Sequence, residues 1–333
     1  MRFFLFRCRC FVWIVSALAL PALARASQDC RAEELERVLR NPRAVEVRQS
    51  LEECARGDPR DPNVMVVLGR GYLLEGDEQR AALWFERATA LDPKCSECQL
   101  WLGRAYGAEA MQATLIHQTT LAKKVRKAFE RAVELDANNL PARTALVEYY
   151  SRAPGFLGGG RDKALREAEE IRRRDALRGH GAFGRIAEHE KLYDAAAREY
   201  ESARREFPDS PEPLLWRARL AEHQKDYETA FEQLEILAAM PSQVEALYEI
   251  GRLSASSGKR LNRGEEALKK YLDRPTAGPD EPSFASAHHR LGTLYEKKKD
   301  RALARREYTA ALELDPMLTE ARQAVSKLKS SDK

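Results

Sequence analysis

One stretch limits what this chain can fold into. Residues 62–95 read PNVMVVLGRGYLLEGDEQRAALWFERATALDPKC. Leu68, Gly69 and Tyr72 recur at helical spacing on one face, and Ala81, Phe85 and Ala88 do so on a second. Gly76-Asp77 interrupts the two runs, and Pro93 closes the second. The pattern predicts two helices folded back on each other. Small residues at Gly69, Ala81 and Ala88 let the backbones approach, and Tyr72 and Phe85 fill the space left. Helices of ~12–15 residues are marginal alone in water, so a hairpin like this needs neighbours to stack on.

The same signs return along the chain. They are Leu102-Gly103, Tyr106, Phe129 and Ala132, then Leu146, Tyr150, Ala164 and Ala168, then Phe183-Gly184, Tyr200, Ala203 and Pro208. After these come Trp216, Ala218, Ala230 and Leu234, then Ile250-Gly251, Ala267 and Tyr271, and last Leu291-Gly292, Tyr295, Ala304, Tyr308, Ala311 and Pro316. These residues resemble the tetratricopeptide repeat (TPR), a helix–turn–helix unit of about 34 residues. The resemblance implies an all-α chain, an α-solenoid of about seven units (62–95, 96–139, 140–176, 177–210, 211–243, 244–281 and 285–318). A degenerate N-terminal helical hairpin at 27–61 precedes them, and a capping helix with a polar tail, 319–333, follows. The second unit carries about ten extra residues near 110–120, which predicts two longer helices projecting from one edge. Residues 153–163 contain three consecutive glycines. No strand precedes them and Ala164 follows Lys163, so the stretch reads as a long turn with Asp162 capping the next helix rather than as a phosphate loop.

Residues 1–26 read as a secretory signal peptide. Arg2, Arg7 and Arg9 form a basic start, Phe11 to Leu20 is apolar, and Ala24-Arg25-Ala26 fits cleavage before Ser27. An uncleaved anchor is the alternative, but the apolar run is short for ~30 Å of hydrocarbon. The expected location is periplasmic or secreted, without stable membrane insertion after cleavage. The leader holds four of the 56 Lys and Arg residues and none of the 52 Asp and Glu, so the remainder is balanced at 52 of each. Nothing in the global charge points to nucleic acid.

Four cysteines follow the leader: Cys30, Cys54, Cys95 and Cys98. In an oxidising compartment they are disulfide candidates, and three pairings are open. The hairpin implied at 27–61 would bring Cys30 and Cys54 together at its open end, a clip worth about 3 kcal/mol. Cys95 and Cys98 lie at a turn between units, as a local bridge, two thiols or a thiol–disulfide exchange pair. The last makes a redox-active envelope protein the alternative reading of function.

No nucleophile elbow, zinc-protease motif, Walker motif or dinucleotide fingerprint occurs, so no enzyme activity, cofactor or metal is expected. His189 and His223 occupy equivalent places in successive units but are too far apart to share a metal directly. The stronger signal is position nine of the units, which holds Arg70, Arg104, Arg185, Arg219 and Arg252, with Glu148 and Thr293 as exceptions. In the TPR family this position lines the concave surface. Position five reads Val66, Leu100, Thr144, Gly181, Leu215, Tyr248 and His289, which departs from the family's peptide-carboxylate clamp, so that clamp's ligand does not carry over. An arginine row suits anions because the guanidinium grips carboxylate or phosphate as a fork. With Trp101, Trp216 and Tyr248 beside it, the row predicts a groove for a protein or peptide segment with acidic and apolar groups. An acidic polysaccharide is a further candidate. The competing expectation is that each arginine pairs with a glutamate of the next unit and holds the stack together.

Overall fold

The computed structural model describes residue 52, residues 61–277 and residues 281–330, the side chains of 329 and 330 excepted. The expected leader at 1–26, Cys30, Cys54 and nearly all of the hairpin expected at 27–61 lie outside the described residues.

Among the described residues there are fifteen α-helices and no strand. Fourteen pair into seven hairpins. These are α1 (Pro62–Leu74) with α2 (Glu78–Leu91), α3 (Ser96–Gln112) with α4 (Leu115–Leu135), and α5 (Leu140–Arg152) with α6 (Arg161–Arg174). Next come α7 (Ala176–His189) with α8 (Tyr193–Glu206), and α9 (Glu212–His223) with α10 (Tyr227–Ala239). The last two are α11 (Glu245–Ser257) with α12 (Leu261–Leu272), and α13 (Phe284–Lys297) with α14 (Arg301–Leu314). The fifteenth helix, α15 (Thr319–Ser330), closes the row. Each helix packs on the one before and the one after it, and the first helices α1 and α3, α5 and α7, α7 and α9, and α11 and α13 also touch. The chain is an all-α solenoid.

The turns explain why the helices stop where they do. Asp77, Asp226 and Asp300 accept a hydrogen bond from the backbone N–H three residues on and so cap α2, α10 and α14. Gly76 supplies the left-handed turn before α2, with φ of 75°. At the start of α6 the expectation fails. Gly160 occupies the cap, and Asp162 sits inside the first turn without capping. The Gly155–Leu157 stretch is a single 3-10 turn, and Lys163 Nζ donates to the Gly158 carbonyl at 2.8 Å.

In five of the seven hairpins a glycine of the first helix (Gly69, Gly103, Gly184, Gly251 or Gly292) faces an aromatic or leucine of the second. A Cβ on Gly69 would stand 2.6 Å from the Phe85 ring, and one on Gly184 2.1 Å from Tyr200. Between hairpins a tyrosine ladder takes over. The hydroxyls of Tyr106, Tyr150 and Tyr295 donate to Glu86, Glu130 and Glu265 of the preceding second helix at 2.5, 2.8 and 2.9 Å. Tyr72 donates to Glu52 in the same manner.

The core is uneven along the rod. One block of buried residues runs from Val64 to Ile186 and another from Leu214 to Leu328. Between them lies a small cluster of Ala187, Ala196, Tyr200 and Leu220.

One rung of the ladder responds to pH. Burial pushes the Glu265 carboxyl up, but hydrogen bonds from Lys269, Lys298 and Tyr295 outweigh it and hold the pKa at about 2. A depressed carboxyl stabilises the fold above its unfolded pKa and loses that contribution as pH falls toward its folded one. Melting temperature should therefore drop between pH 5 and pH 3, about where an unfolded glutamate takes up its proton. In Glu265→Gln the drop should be smaller, which thermal melts by circular dichroism will read. Equal slopes in both chains would remove Glu265 from the cause.

Candidate ligand-binding face

Position nine sits one residue after the glycine that faces the second helix. A step of about 100° turns it away from its own hairpin. All five arginines occupy that outward line, but the structure divides them into two groups.

The first group gathers on one tryptophan. The guanidinium carbons of Arg70, on α1, and Arg104, on α3, lie 4.7 and 4.4 Å from the centroid of the Trp101 ring. Trp101 is stacked on Phe85 at 6.1 Å, and its Nε1 donates to Glu97 at 3.2 Å. The ring is thus fixed before any ligand arrives. Arg104 is exposed as a residue while its guanidinium lies against the indole. That withdrawal from water, then the like charge of Arg70, lower its pKa. Two cations held together over an aromatic face favour an anion between or above them. Arg219, on α9, is also exposed and makes no ion pair among the described residues.

The second group reaches across the seam, as the competing expectation has it, but to glutamates of the preceding unit rather than the next. Arg252 donates through Nη1 and Nη2 to both carboxylate oxygens of Glu222 in the preceding hairpin, at 2.9 and 2.6 Å, and through Nε to Glu249 at 2.6 Å. The Glu222 fork raises the Arg252 pKa, and Arg252 in turn holds the Glu222 carboxyl down. Arg185 Nε lies 3.3 Å from Oε1 of Glu148, and His189 Nε2 lies 2.8 Å from Oε2 of the same carboxylate. Glu148 is the position-nine exception of its own unit. In the sequence it looked like a gap in the row, and in the fold it is the partner of the next arginine.

Position five needs correcting. Tyr248 is buried and packed on Tyr271 at 5.7 Å, and Val66 and Leu100 are buried too. Positions five and eight lie three residues apart, on one helix face, so position five turns toward the hairpin's own second helix. Trp216 is half-buried, packed over Gly181 and 5.6 Å from Tyr200.

Cys95 caps α3, and Cys98 is buried in its first turn, with the two Sγ atoms 2.01 Å apart. His223 lies 5.7 Å from the Tyr193 ring, and His189 contacts Glu148. No group of three metal-ligating side chains occurs among the described residues. No helix there is long and apolar enough to cross a membrane.

Stacked helical hairpins with one outward-facing line of side chains define a helical-repeat scaffold, the class whose members bind along the stack rather than in an enclosed pocket. Models of the tetratricopeptide repeat match residues 187–244 and 285–317, so the chain carries tetratricopeptide repeats. Among solved structures it resembles yeast Tom70, at 15% identity and a TM-score of 0.59, over 87% of this chain and 58% of that one. A looser likeness, with a TM-score of 0.45 at 19% identity, is to a thermophilic TPR protein of Thermus thermophilus. It covers 60% of this chain and 95% of the other. At such identities the likeness is one of fold alone. No protein of curated function matches the chain.

Proposed function

We propose that this TPR protein is an exported, non-enzymatic scaffold that grips an extended protein segment bearing acidic and apolar side chains. The main contact is the Arg70–Trp101–Arg104 cluster, with Arg219 further along the same line. The leader-like residues 1–26 and the balanced charge of the remainder support export. The observation that carries the reading is the pair of guanidiniums poised on one fixed indole. Arg252 contributes to the stack rather than to the ligand, because its fork is occupied by Glu222, and Arg185 is drawn toward Glu148 across the seam.

A fluorescent peptide of alternating Glu and Leu, followed by anisotropy, tests this. Arg104→Ala should weaken binding by about 10-fold, the effect of losing one charge-assisted contact, with melting unchanged. Arg252→Ala should do the reverse, lowering the melting temperature while leaving peptide affinity within about twofold. Peptide binding indifferent to Arg104 would remove the cluster from the site.

A further inference from the structure

The long α3–α4 hairpin is unlike the others. Its helices have 17 and 21 residues, where the remaining helices of the hairpins have 12 to 14. The extra length ends in a tip where Met111, Leu115 and Ile116 are 85%, 81% and 81% exposed. Three aliphatic side chains in water on one convex tip are not accounted for by packing within this chain.

The surroundings of the tip carry opposite charges on two sides. Down the outer face of α4, Ile116, Thr120, Lys123 and Lys127 follow at i, i+4, i+7 and i+11, a single helical stripe. Lys124, next to that stripe, turns back toward the preceding hairpin, 4.0 Å from Glu86. Arg126 turns toward the following one, against Gly158. Thr120 borders the cleft on the side of α1, whereas Lys123 and Lys127 stand outside its lining. Lys123 and Lys127 are exposed and make no ion pair among the described residues. On the side of α1, the tip overhangs the α1–α2 turn and encloses a cleft of about 880 Å³. Its lining has four carboxylates, Glu75, Asp77, Glu78 and Glu109, against the cations Arg80 and Lys124. Gln112 Nε2 donates to Glu78 at 2.8 Å and fixes the tip over this acidic turn.

We propose that this tip is where a second copy of the same chain docks, about a twofold axis. A twofold contact places each patch against the other half of the same surface, so it needs a surface complementary to itself. An apolar centre with an acidic turn on one side and a lysine stripe on the other meets that need. The lysines of each copy face the carboxylates of its mate, and the two aliphatic tips leave water together. A fluid anionic membrane is the less suitable partner, because the carboxylates beside the tip would face the same negative surface. The docking lies away from the arginine cluster and does not depend on it.

Sedimentation velocity on the full chain, up to about 100 μM, is the test, since weak self-contacts fall in that range. Two charge-reversed variants are used, Lys123→Glu/Lys127→Glu and Glu75→Lys/Glu109→Lys. Each alone should dimerise at least about 10-fold more weakly than the parent chain, because like charges then meet at both flanks. An equimolar mixture should recover to within about threefold, since reversed lysines meet reversed carboxylates and the other pair is native. Association through the apolar 11–20 stretch would be blind to these charges. A parent chain monomeric throughout, or a mixture no better than its components, overturns the proposal. So does adsorption to phosphatidylglycerol vesicles that is lost in Ile116→Ser while self-association is not.

Discussion

Tyr200→Ala is expected to split the unfolding of this protein into two transitions. The ring is buried, fills the space left by Gly184, and supports Trp216 of the next hairpin. Its hydroxyl donates to Glu188. Truncating a buried aromatic costs about 3–5 kcal/mol. Here the loss falls on the narrow cluster that joins the two larger blocks of core. In a solenoid the coupling between neighbours is what makes unfolding cooperative. With the junction weakened, the hairpins before it and those after it should melt separately. Calorimetry reads this directly, as one peak in the parent chain and two in the variant. A single peak shifted to lower temperature would mean that cooperativity runs through the helix-to-helix contacts and not through Tyr200. Tyr200→Phe supplies the control. It keeps the ring, loses the Glu188 bond, and should remain a single transition at a cost of about 1 kcal/mol.

Gly103→Leu should be the next most damaging change. A Cβ there would stand 2.4 Å from Cε1 of Phe129 and 2.5 Å from its Cδ1, so the ring must leave its place. Overpacking of this kind costs about 1–3 kcal/mol, and more where the backbone cannot shift. Gly103 and Phe129 both lie in the block that contains Trp101, so the arginine cluster should be disturbed along with the hairpin. Denaturant unfolding of Gly103→Ala, Phe129→Leu and the pair together isolates the contact. The double variant should recover about 1 kcal/mol relative to the sum of the singles, because the smaller side chain makes room for the methyl. Simple additivity would show that the glycine is tolerated for another reason.

Much of this architecture was legible before any coordinates, and the residues show why. Gly69 with Phe85, or Gly292 with Tyr308, are local signals, since both members belong to one hairpin and their spacing fixes which faces meet. The longer second hairpin was legible as surplus residues near 110–120. Position five was not. Tyr248 was expected beside the arginine row, but it is buried, as Val66 and Leu100 at the same position are, because the face shared with the glycine turns inward. The Asp162 cap failed for a similar reason. A capping residue type was present, but the chain enters α6 through Gly160, one residue before the helix and two before Asp162. The exposed tip at Met111, Leu115 and Ile116 had only the length of its hairpin to announce it.

The sequence by itself determined the repeat, the order of the hairpins and the outward line of arginines, because periodicity within one helix decides which side chains share a face. Only the tertiary structure decided which of those arginines are tied across the stack and which gather on an aromatic ring. Arg252 reaches Glu222 and Arg185 reaches Glu148 across the seam between hairpins, whereas Arg70 and Arg104 meet on Trp101. Such pairings depend on how one hairpin is rotated against the next. That rotation is set by the packed volumes of many side chains together, and no spacing along the chain encodes it.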